Sequence, residues 1–448
     1  MLVISGCFRA PLIRPQQPRE RVTLFAGVRV FDGRGDALSE PTDVLVRDGR
    51  VTAIAASITP PDGAALVRGD GLTLLPGLFD GHVHLGGVEG EPVWDIGSHL
   101  PDVEAQAAAL LYCGITTAVL AGRDSDSEEL ARDITARRLA GPRLLTATRI
   151  LTARGGHPVG MFSAGLPAIV RGIVISRTIA QVQGEEAARQ MVRDELSSGA
   201  HHLKIVYHAM PEDAPRLTRE ELVAAISEAK ALGKPAVVHV GTAQGAVEAA
   251  QAGATMLMHT PWEDDLTPEQ ARAIKEAGTA VVTTTRIYAA MSSSLSGAPQ
   301  FTKLEREVMR PGLEKVFADK PAVVPLPGFE DYVGRSADFD AHLRKNVVTL
   351  REAGVTLVAG TDTGIPAVFP GAALHEELKY VAAQGIPASE VLRMATSNAA
   401  SVMDPKGGRG VIEVGSVADL LLVRGDPTQD LGALDEIAGV WKRGERQR

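Results

Sequence analysis

Two histidines, His82 and His84, are the first residues along the chain whose types and spacing could bind a metal ion. They lie in the stretch Leu74 to Gly86, LLPGLFDGHVHLG, which is typical of a buried strand that ends in a turn. Side chains two residues apart on a strand point to the same face, so both imidazoles could bind one ion. The pattern is short, and a pair of half-buried structural histidines is the alternative at this point.

Four more candidate ligands occur later, each in or directly after a short apolar segment. A single histidine in such a place is usually structural. Four histidines and one aspartate at the ends of predicted strands are hard to assign to chance, provided that the fold brings these ends together. The four later candidates are Lys204, His239, His259 and Asp362.

A repeated order of amphipathic helix, glycine and short apolar strand predicts such a fold. Glycine closes the last turn of a helix in the left-handed conformation, and the helix from Thr218 also opens with capping-box spacing to Glu221. With the strand of His82 there are eight strand–helix units, which predicts an α/β fold, a closed (β/α)8 TIM barrel. Its active site is expected at the carboxyl ends of the strands. The closing glycines are Gly114, Gly141, Gly199, Gly233, Gly253, Gly278 and Gly354.

Lys204 lies between Leu203 and Ile205, whose apolar side chains should face the helices, so the lysine should point into the barrel. Burial disfavours the charged form of an amine. A neutral amine can add carbon dioxide, and the resulting carbamate can bridge two metal ions as a carboxylate would. The alternative is a lysine that extends to the barrel mouth or pairs with Asp362.

Together these residues resemble the amidohydrolase superfamily, in its binuclear branch with a carboxylated lysine. The segments FDGHVHLGG, GGHP (Gly155 to Pro158) and AGTDTG (Ala359 to Gly364) are similar to those of imidazolonepropionase-like and prolidase-like dipeptidases. The resemblance covers nearly the whole chain and implies two divalent metal ions, with zinc as the expected metal. It implies that one ion is held by His82, His84 and Asp362, that the second is held by His239 and His259, and that N6-carboxylated Lys204 bridges them.

This ligand set implies a hydrolase. Two divalent ions lower the pKa of a bridging water, so hydroxide becomes available near neutral pH. Asp362 is expected to act as general base and then as general acid, with Lys204 and His259 as further catalytic residues. The predicted reaction cleaves C–N bonds in small amides such as dipeptides or N-acyl amino acids. The alternatives are hydrolysis of cyclic amides, imidazolones, esters, lactones or organophosphates at the same site and, more remotely, a non-catalytic binding homologue.

Substrate recognition is expected from the loops after strands three, four and seven. The loops after strands three and seven are long, Leu151 to Val182 and Arg286 to Ala337, as is typical of lids and pocket walls. Arg286 could form a bidentate pair with a substrate carboxylate. The candidate substrate-binding residues are His157, Tyr207, His208, Arg286 and Tyr288.

The alternative for recognition is a pocket without a carboxylate partner. Arg286 would then pair with a surface acid, and an apolar pocket would favour bulky acyl groups or aromatic amides over charged dipeptides. The residues that would shape this pocket are Met161, Phe162, Ile287 and Met291.

Alternating strands separated by turn signals occupy both ends of the chain. Residues 22–73 and 404–448 are predicted to form one composite β-sandwich domain beside a barrel of residues 74–403. Residues 1–21 are predicted to be a tail or a lipoprotein-like tether, since Ile4 to Cys7 resembles a bacterial lipoprotein box but lacks a basic segment before it. Two localisations are therefore open: the cytoplasm, or export as a lipoprotein attached through Cys7.

Composition limits the partners. A net charge of −9 without a basic block argues against nucleic acid, and so does an aromatic content of 4%. No run approaches the roughly 18 apolar residues of a membrane span. The 2 cysteines exclude a disulfide framework and a cysteine-based zinc site. The expected partner is a small-molecule substrate, and homo-oligomerisation is left open.

Overall fold

The computed structural model describes residues 12–13, 22–86, 90, 102–123, 126–165, 168–296, 300–319 and 329–448. The predicted lipoprotein box with Cys7 lies outside these residues. Within the described part of the chain, no helix has the length and apolarity needed to cross a bilayer.

The strands of the described residues fall into a group near the two chain ends and a central group. They are β1 Val22–Val30, β2 Thr42–Arg47, β3 Arg50–Ala55, β4 Ala65–Arg68, β5 Leu72–Pro76, β6 Leu78–Val83, β7 Ile115–Leu120, β8 Arg143–Leu145, β9 Ile150–Ala153, β10 Ile179–Val182, β11 Leu203–Val206, β12 Ala236–His239, β13 Met256–Met258, β14 Ala280–Val282, β15 Leu357–Val358, β16 Leu420–Arg424, β17 Ile437–Lys442 and β18 Glu445–Arg446.

The α-helices lie between the central strands and after the last of them. They are α1 Val103–Tyr112, α2 Ser127–Thr135, α3 Val159–Gly165, α4 Ala168–Thr178, α5 Glu185–Ser197, α6 Arg219–Ala231, α7 Ala243–Gln251, α8 Pro268–Glu276, α9 Arg286–Ser296, α10 Lys303–Val308, α11 Leu313–Asp319, α12 Glu330–Gly334, α13 Ser336–Glu352, α14 Ala372–Ala382, α15 Ala388–Met394 and α16 Ser397–Met403. In α6 the predicted capping box is present, since the side chains of Thr218 and Glu221 each bond the other residue's backbone N–H.

The strands from the two chain ends pair in one mixed sheet. Its order is β18-β17-β16-β5-β1-β2-β3, with β4 added to β1. Strand β5 pairs with β1 on one side and with β16 on the other, so the sheet continues from one chain end to the other. Strands from both chain ends therefore share one sheet, and the predicted stacking into a β-sandwich stays a prediction. The predicted domain boundaries stay a prediction.

The central strands are parallel and occur in two sheets rather than one. Strands β6-β7-β8 form the smaller sheet, and the larger has the order β10-β9-β11-β12-β13-β14-β15. Isolated parallel bridges connect Ala147, after β8, with His202, before β11, and Val83 of β6 with Thr363, after β15, so both outer strands of the smaller sheet contact the larger sheet. The predicted third strand is divided into β8 and β9, and β9 pairs with the additional strand β10. The parallel α/β arrangement is confirmed.

Alternate residues of the parallel strands supply two different cores. Leu203 and Ile205 of β11 belong to the large cluster that includes the helix residues Leu222 and Ile226. The residues that point the other way form a separate cluster, which contains Met258 of β13. This alternation positions the functional side chains, because a residue between two helix-facing neighbours must point inward.

Candidate active site

His82, His84 and Asp362 form a cluster at the carboxyl ends of β6 and β15. One ligand atom from each lies within 4.8 Å of the other two. His82 Nε2 is 3.1 Å from Asp362 Oδ1, and His84 Nε2 is 3.4 Å from the same oxygen. Residues separated by most of the chain thus place two imidazoles and a carboxylate around one point, which is a donor set that zinc accepts.

The electrostatics of this cluster suit a cation. Burial lowers the pKa of His82 to about 4, so its ring is neutral at pH 7. Burial alone would raise the pKa of the Asp362 carboxyl, but His82, His259 and His84 hold it well below its ordinary value. Neither ring nitrogen of His82 has a partner with hydrogen-bond geometry among the described residues. The neutral imidazole of His82 and the ionised carboxylate of Asp362 are in the protonation states that metal binding requires.

His239 and His259 form a second pair beside the first cluster. His239 ends β12 and His259 follows β13, and His259 Nε2 lies 3.0 Å from His239 Nδ1. The same Nε2 is 3.9 Å from Asp362 Oδ2, so the two groups are contiguous. His259 Nδ1 contacts Thr284 Oγ1 at 2.8 Å, which orients the ring toward the centre. Burial holds the pKa of both imidazoles well below the ordinary value.

Lys204 is buried in β11 with 2% of its surface exposed. Its Nζ lies 3.1 Å from Sδ of Met258, a residue of the inward-facing cluster of the parallel strands. The predicted inward orientation is therefore confirmed, and the alternative of a lysine that extends to the solvent at the barrel mouth is wrong. Carboxylation of Lys204 stays a prediction.

The backbone is strained at two of the candidate ligands. His259 has φ of 88° and Asp362 has φ of 54°, both in the left-handed region that non-glycine residues rarely adopt. Buried Asp80 supports this part of the chain, since its carboxylate accepts hydrogen bonds from the hydroxyl and N–H of Thr361 and from the N–H of His82. Asp80 thereby joins the two strand ends that carry the first cluster.

His157 and His208 lie beside His239. Their ring centroids are 5.3 Å and 5.5 Å from that of His239. His208 Nε2 is 3.1 Å from Glu263 Oε1, and a Cβ at Gly241 would lie only 2.4 Å from the same nitrogen. Burial lowers the pKa of His157 to about 3, and its Nδ1 has no hydrogen-bond partner among the described residues. Both predicted substrate ligands thus adjoin the candidate metal ligands.

The structure does not place the Tyr207 hydroxyl in this site. It donates a 2.6 Å hydrogen bond to Glu248 of α7, and only 2% of the residue is exposed. The prediction failed because Tyr207 follows β11 directly, with its side chain on the helix-facing side. His208, the next residue, points toward the histidines instead.

Arg286 also has a different partner from those predicted. Its Nη2 donates to Glu305 Oε1 at 3.2 Å, and Glu305 is 1% exposed. The acid is therefore buried and not on the surface, and it neutralises the guanidinium before any substrate binds. Nη1 of Arg286 is buried and has no hydrogen-bond partner among the described residues.

An aromatic wall, defined here as Trp262, Tyr288 and Tyr332, extends from the histidines. Tyr332 accepts a 2.8 Å hydrogen bond from Trp262 Nε1, and its hydroxyl lies 2.6 Å from that of Tyr288. Ile287 and Met291 pack against this wall, so two of the predicted apolar residues are beside it. The Trp262 ring is nearly perpendicular to the rings of His208, His239 and His259, and its centroid lies 5.2–5.4 Å from theirs.

Sequence reasoning missed three of these residues. Trp262 and Glu263 follow His259 in the segment HTPWEDD, and Thr284 follows β14. A signal existed for all three, since each lies just beyond the carboxyl end of a barrel strand, where active-site residues are expected. The sequence did not indicate which residues these three contact, because their partners lie at the ends of other strands.

Glu377 of α14 supports the loop that carries Arg286. Its Oε1 accepts hydrogen bonds from the hydroxyls of Thr283 and Thr285 and from the Thr285 N–H, at 2.5–2.9 Å. Its Oε2 accepts the N–H of Arg286 at 2.7 Å. One buried carboxylate therefore satisfies four donors at the end of β14.

Replacement of Glu377 by alanine is expected to lower the free energy of unfolding by about 3 kcal/mol or more, because it leaves buried donors without an acceptor. Urea denaturation measures the change. Glu376→Ala is the matched control, since that neighbour makes a partly exposed pair with Lys379 and should cost about 1 kcal/mol or less. Equal losses in the two variants would contradict the assignment.

Comparison with known proteins supports a single family. The Amidohydrolase family profile matches residues 73–447. Ochratoxinase from Aspergillus niger is 24% identical over 467 aligned residues, which cover 98% of this chain and 89% of the ochratoxinase.

Solved structures of similar proteins share the fold. An Xaa-Pro dipeptidase with methionine bound in its active site has a TM-score of 0.78 and 23% identity, and the match covers 95% of this chain and 100% of that one. Aspergillus niger ochratoxinase has a TM-score of 0.72 and 21% identity over 96% of both chains. These likenesses confirm an α/β fold of the TIM-barrel type. The chain belongs to the amidohydrolase family and is a hydrolytic enzyme that acts on carbon–nitrogen bonds.

Proposed function

We propose that this amidohydrolase cleaves small amides, namely N-acyl amino acids or dipeptides with a bulky apolar or aromatic group, at a site for two metal ions. One observation carries the proposal: the imidazoles of His82 and His84 and the carboxylate of Asp362 gather within 4.8 Å. The pair of His239 and His259 is contiguous with them. We also infer that the eight strands close into a (β/α)8 barrel, which the two bridges between the sheets support.

The side chains fit the metal ions that the family implies. His82, His84 and Asp362 would hold one divalent ion, His239 and His259 the other, and carboxylated Lys204 would serve both. Neutral buried imidazoles and an ionised carboxylate support this assignment, with zinc as the proposed metal. When bound, the ions would polarise the scissile carbonyl and acidify water.

Proton transfer is assigned to Asp362. Its pKa lies well below the ordinary value, so at neutral pH its carboxylate is ready to accept a proton from the attacking water. Asp362 then donates this proton to the leaving nitrogen, which lets the amine depart neutral. His157 and His208 are positioned beside His239 to bond the substrate carbonyl or carboxylate, and Glu263 orients His208.

The aromatic wall supports an apolar group next to the scissile bond. The Trp262 ring is nearly perpendicular to the rings of three histidines of the site, and Tyr288 and Tyr332 continue the wall. Arg286 is already neutralised by Glu305, which weakens it as a partner for a substrate carboxylate. The dipeptidase of similar fold binds methionine, an amino acid with an apolar side chain, which agrees with this choice.

The reaction is tested with the metal-loaded protein and a panel of dipeptides, N-acyl amino acids, esters and lactones. We expect release of a free amine from at least one N-acyl amino acid or dipeptide, and loss of that release after chelation. Hydrolysis of esters or lactones with no cleavage of any amide would contradict the proposed substrate class.

The side chain of the substrate is expected to matter more than its carboxylate. N-acetyl-phenylalanine should have at least a tenfold higher kcat/KM than N-acetyl-glycine, about 1.4 kcal/mol at the transition state, because its ring packs on the aromatic wall. N-acetyl-phenylalanine amide should stay within about threefold of the free acid, since Glu305 neutralises Arg286. Steady-state kinetics measure both ratios. A tenfold loss for the amide would instead show recognition of the carboxylate.

A further inference from the structure

A cavity of about 160 Å³ far from the metal ligands has five cationic side chains among its twelve lining residues. It lies between the end of α2, the start of β8 and the hairpin of β17 and β18. Because β8 begins here, the cavity is at the amino ends of the barrel strands, whereas the candidate metal ligands are at the carboxyl ends. Its five cations are Arg137, Arg143, Arg409, Lys442 and Arg443, and its one carboxylate is Glu445.

Carboxylates already neutralise the three arginines outside the hairpin. One of these carboxylates, Glu445, lines the cavity, and the other two, Asp404 and Asp419, do not line it. The pairs are Arg137 with Glu445, Arg143 with Asp404, and Arg409 with Asp419 and Asp404.

Lys442 and Arg443 leave an excess of positive charge. Among the described residues, no carboxylate oxygen lies within 4.0 Å of Lys442 Nζ or of the Arg443 guanidinium. Lys442 Nζ donates to the carbonyl of Gly141, and the backbone N–H of Arg443 donates to Asp419 Oδ1. Burial above all lowers the pKa of Lys442 to about 8, against the charge of Asp419, which raises it. The five cations of the cavity outnumber the three carboxylates beside them, Glu445, Asp404 and Asp419, by two, and such an excess of positive charge attracts an anion.

We propose that this cavity binds a small oxyanion of the phosphate class. Lys442 offers a compact point charge, and Arg443 offers a planar set of donors that matches phosphate oxygens. A bound phosphate would connect the β17–β18 hairpin to the segment between α2 and β8, and thereby hold the terminal sheet against the parallel strands. The site is independent of the proposed hydrolysis and has a different ligand.

Thermal unfolding of the metal-loaded protein tests this site. At constant ionic strength, inorganic phosphate should raise Tm by several degrees more than chloride, because a ligand of the native state stabilises it. The second measurement uses a phosphomonoester. If it binds more tightly than inorganic phosphate, the ligand of the cavity is the phosphate group of a metabolite. If it binds equally or more weakly, the ligand is the free phosphate ion. Either result supports the proposal.

Variants separate this site from the metal ions, which can themselves bind phosphate. Arg443→Gln, at an exposed position, should raise the Kd for phosphate at least tenfold and leave amide hydrolysis unchanged. Arg424→Gln removes an exposed arginine of the same sheet outside the cavity and should bind as the wild type does. An unchanged Kd in Arg443→Gln, or an equal Tm shift with chloride, would overturn the proposal.

Discussion

Replacement of His82 by alanine is expected to remove metal and activity together. The substitution deletes a buried imidazole that lies 3.1 Å from Asp362, so it breaks the cluster and also removes a neighbour that holds the pKa of Asp362 low. We expect kcat/KM for the best amide substrate to fall by about a thousandfold, which corresponds to about 4 kcal/mol. His239→Ala should have the same consequence for the second ion. Elemental analysis and steady-state kinetics on the same samples measure the two losses.

His342 provides the matched control. His342 lies on the surface of α13 and contacts Asp265. His342→Ala should therefore retain both the metal content and kcat/KM. The wild-type protein should contain about two divalent ions per chain. Full activity in a protein with a single ion or none would exclude the two-metal site.

Replacement of Lys204 by alanine is expected to cause the second large loss, of at least about a hundredfold in kcat/KM. Lys204 is buried beside Met258, and alanine leaves a space where a small carboxylate could take the place of the proposed carbamate. Acetate or propionate should therefore restore part of the activity, and kinetics with increasing carboxylate measure this rescue. Lys204→Arg should lose activity too, since a guanidinium does not form a carbamate.

His82→Ala serves as the control for rescue, because an added carboxylate does not replace an imidazole. The carbamate itself is observed by carbon NMR after exchange with labelled carbon dioxide. A fully active Lys204→Met variant, or active wild-type protein with an unmodified lysine, would show that the carbamate is not part of the site.

The sequence by itself determined the parallel α/β fold and the set of candidate metal ligands. The reason is that the underlying signals are local. Glycine marks the end of a helix, apolar runs mark the strands, and the period of two along a strand is sufficient to orient Lys204 inward. The two histidines of His82-x-His84 share a face for the same reason. Since all parallel strands present their carboxyl ends at one edge, the ligands had to come close without any knowledge of loop structure.

Only the tertiary structure decided the surroundings of those ligands. Beyond a strand end the chain has no period, so the direction of Tyr207 and the partner of Arg286 depended on distant helices that carry Glu248 and Glu305. The pairing of β5 with both β1 and β16, which connects the two chain ends in one mixed sheet, likewise joins segments that are remote in sequence. Such contacts depend on the packing of whole elements, and no short pattern encodes them.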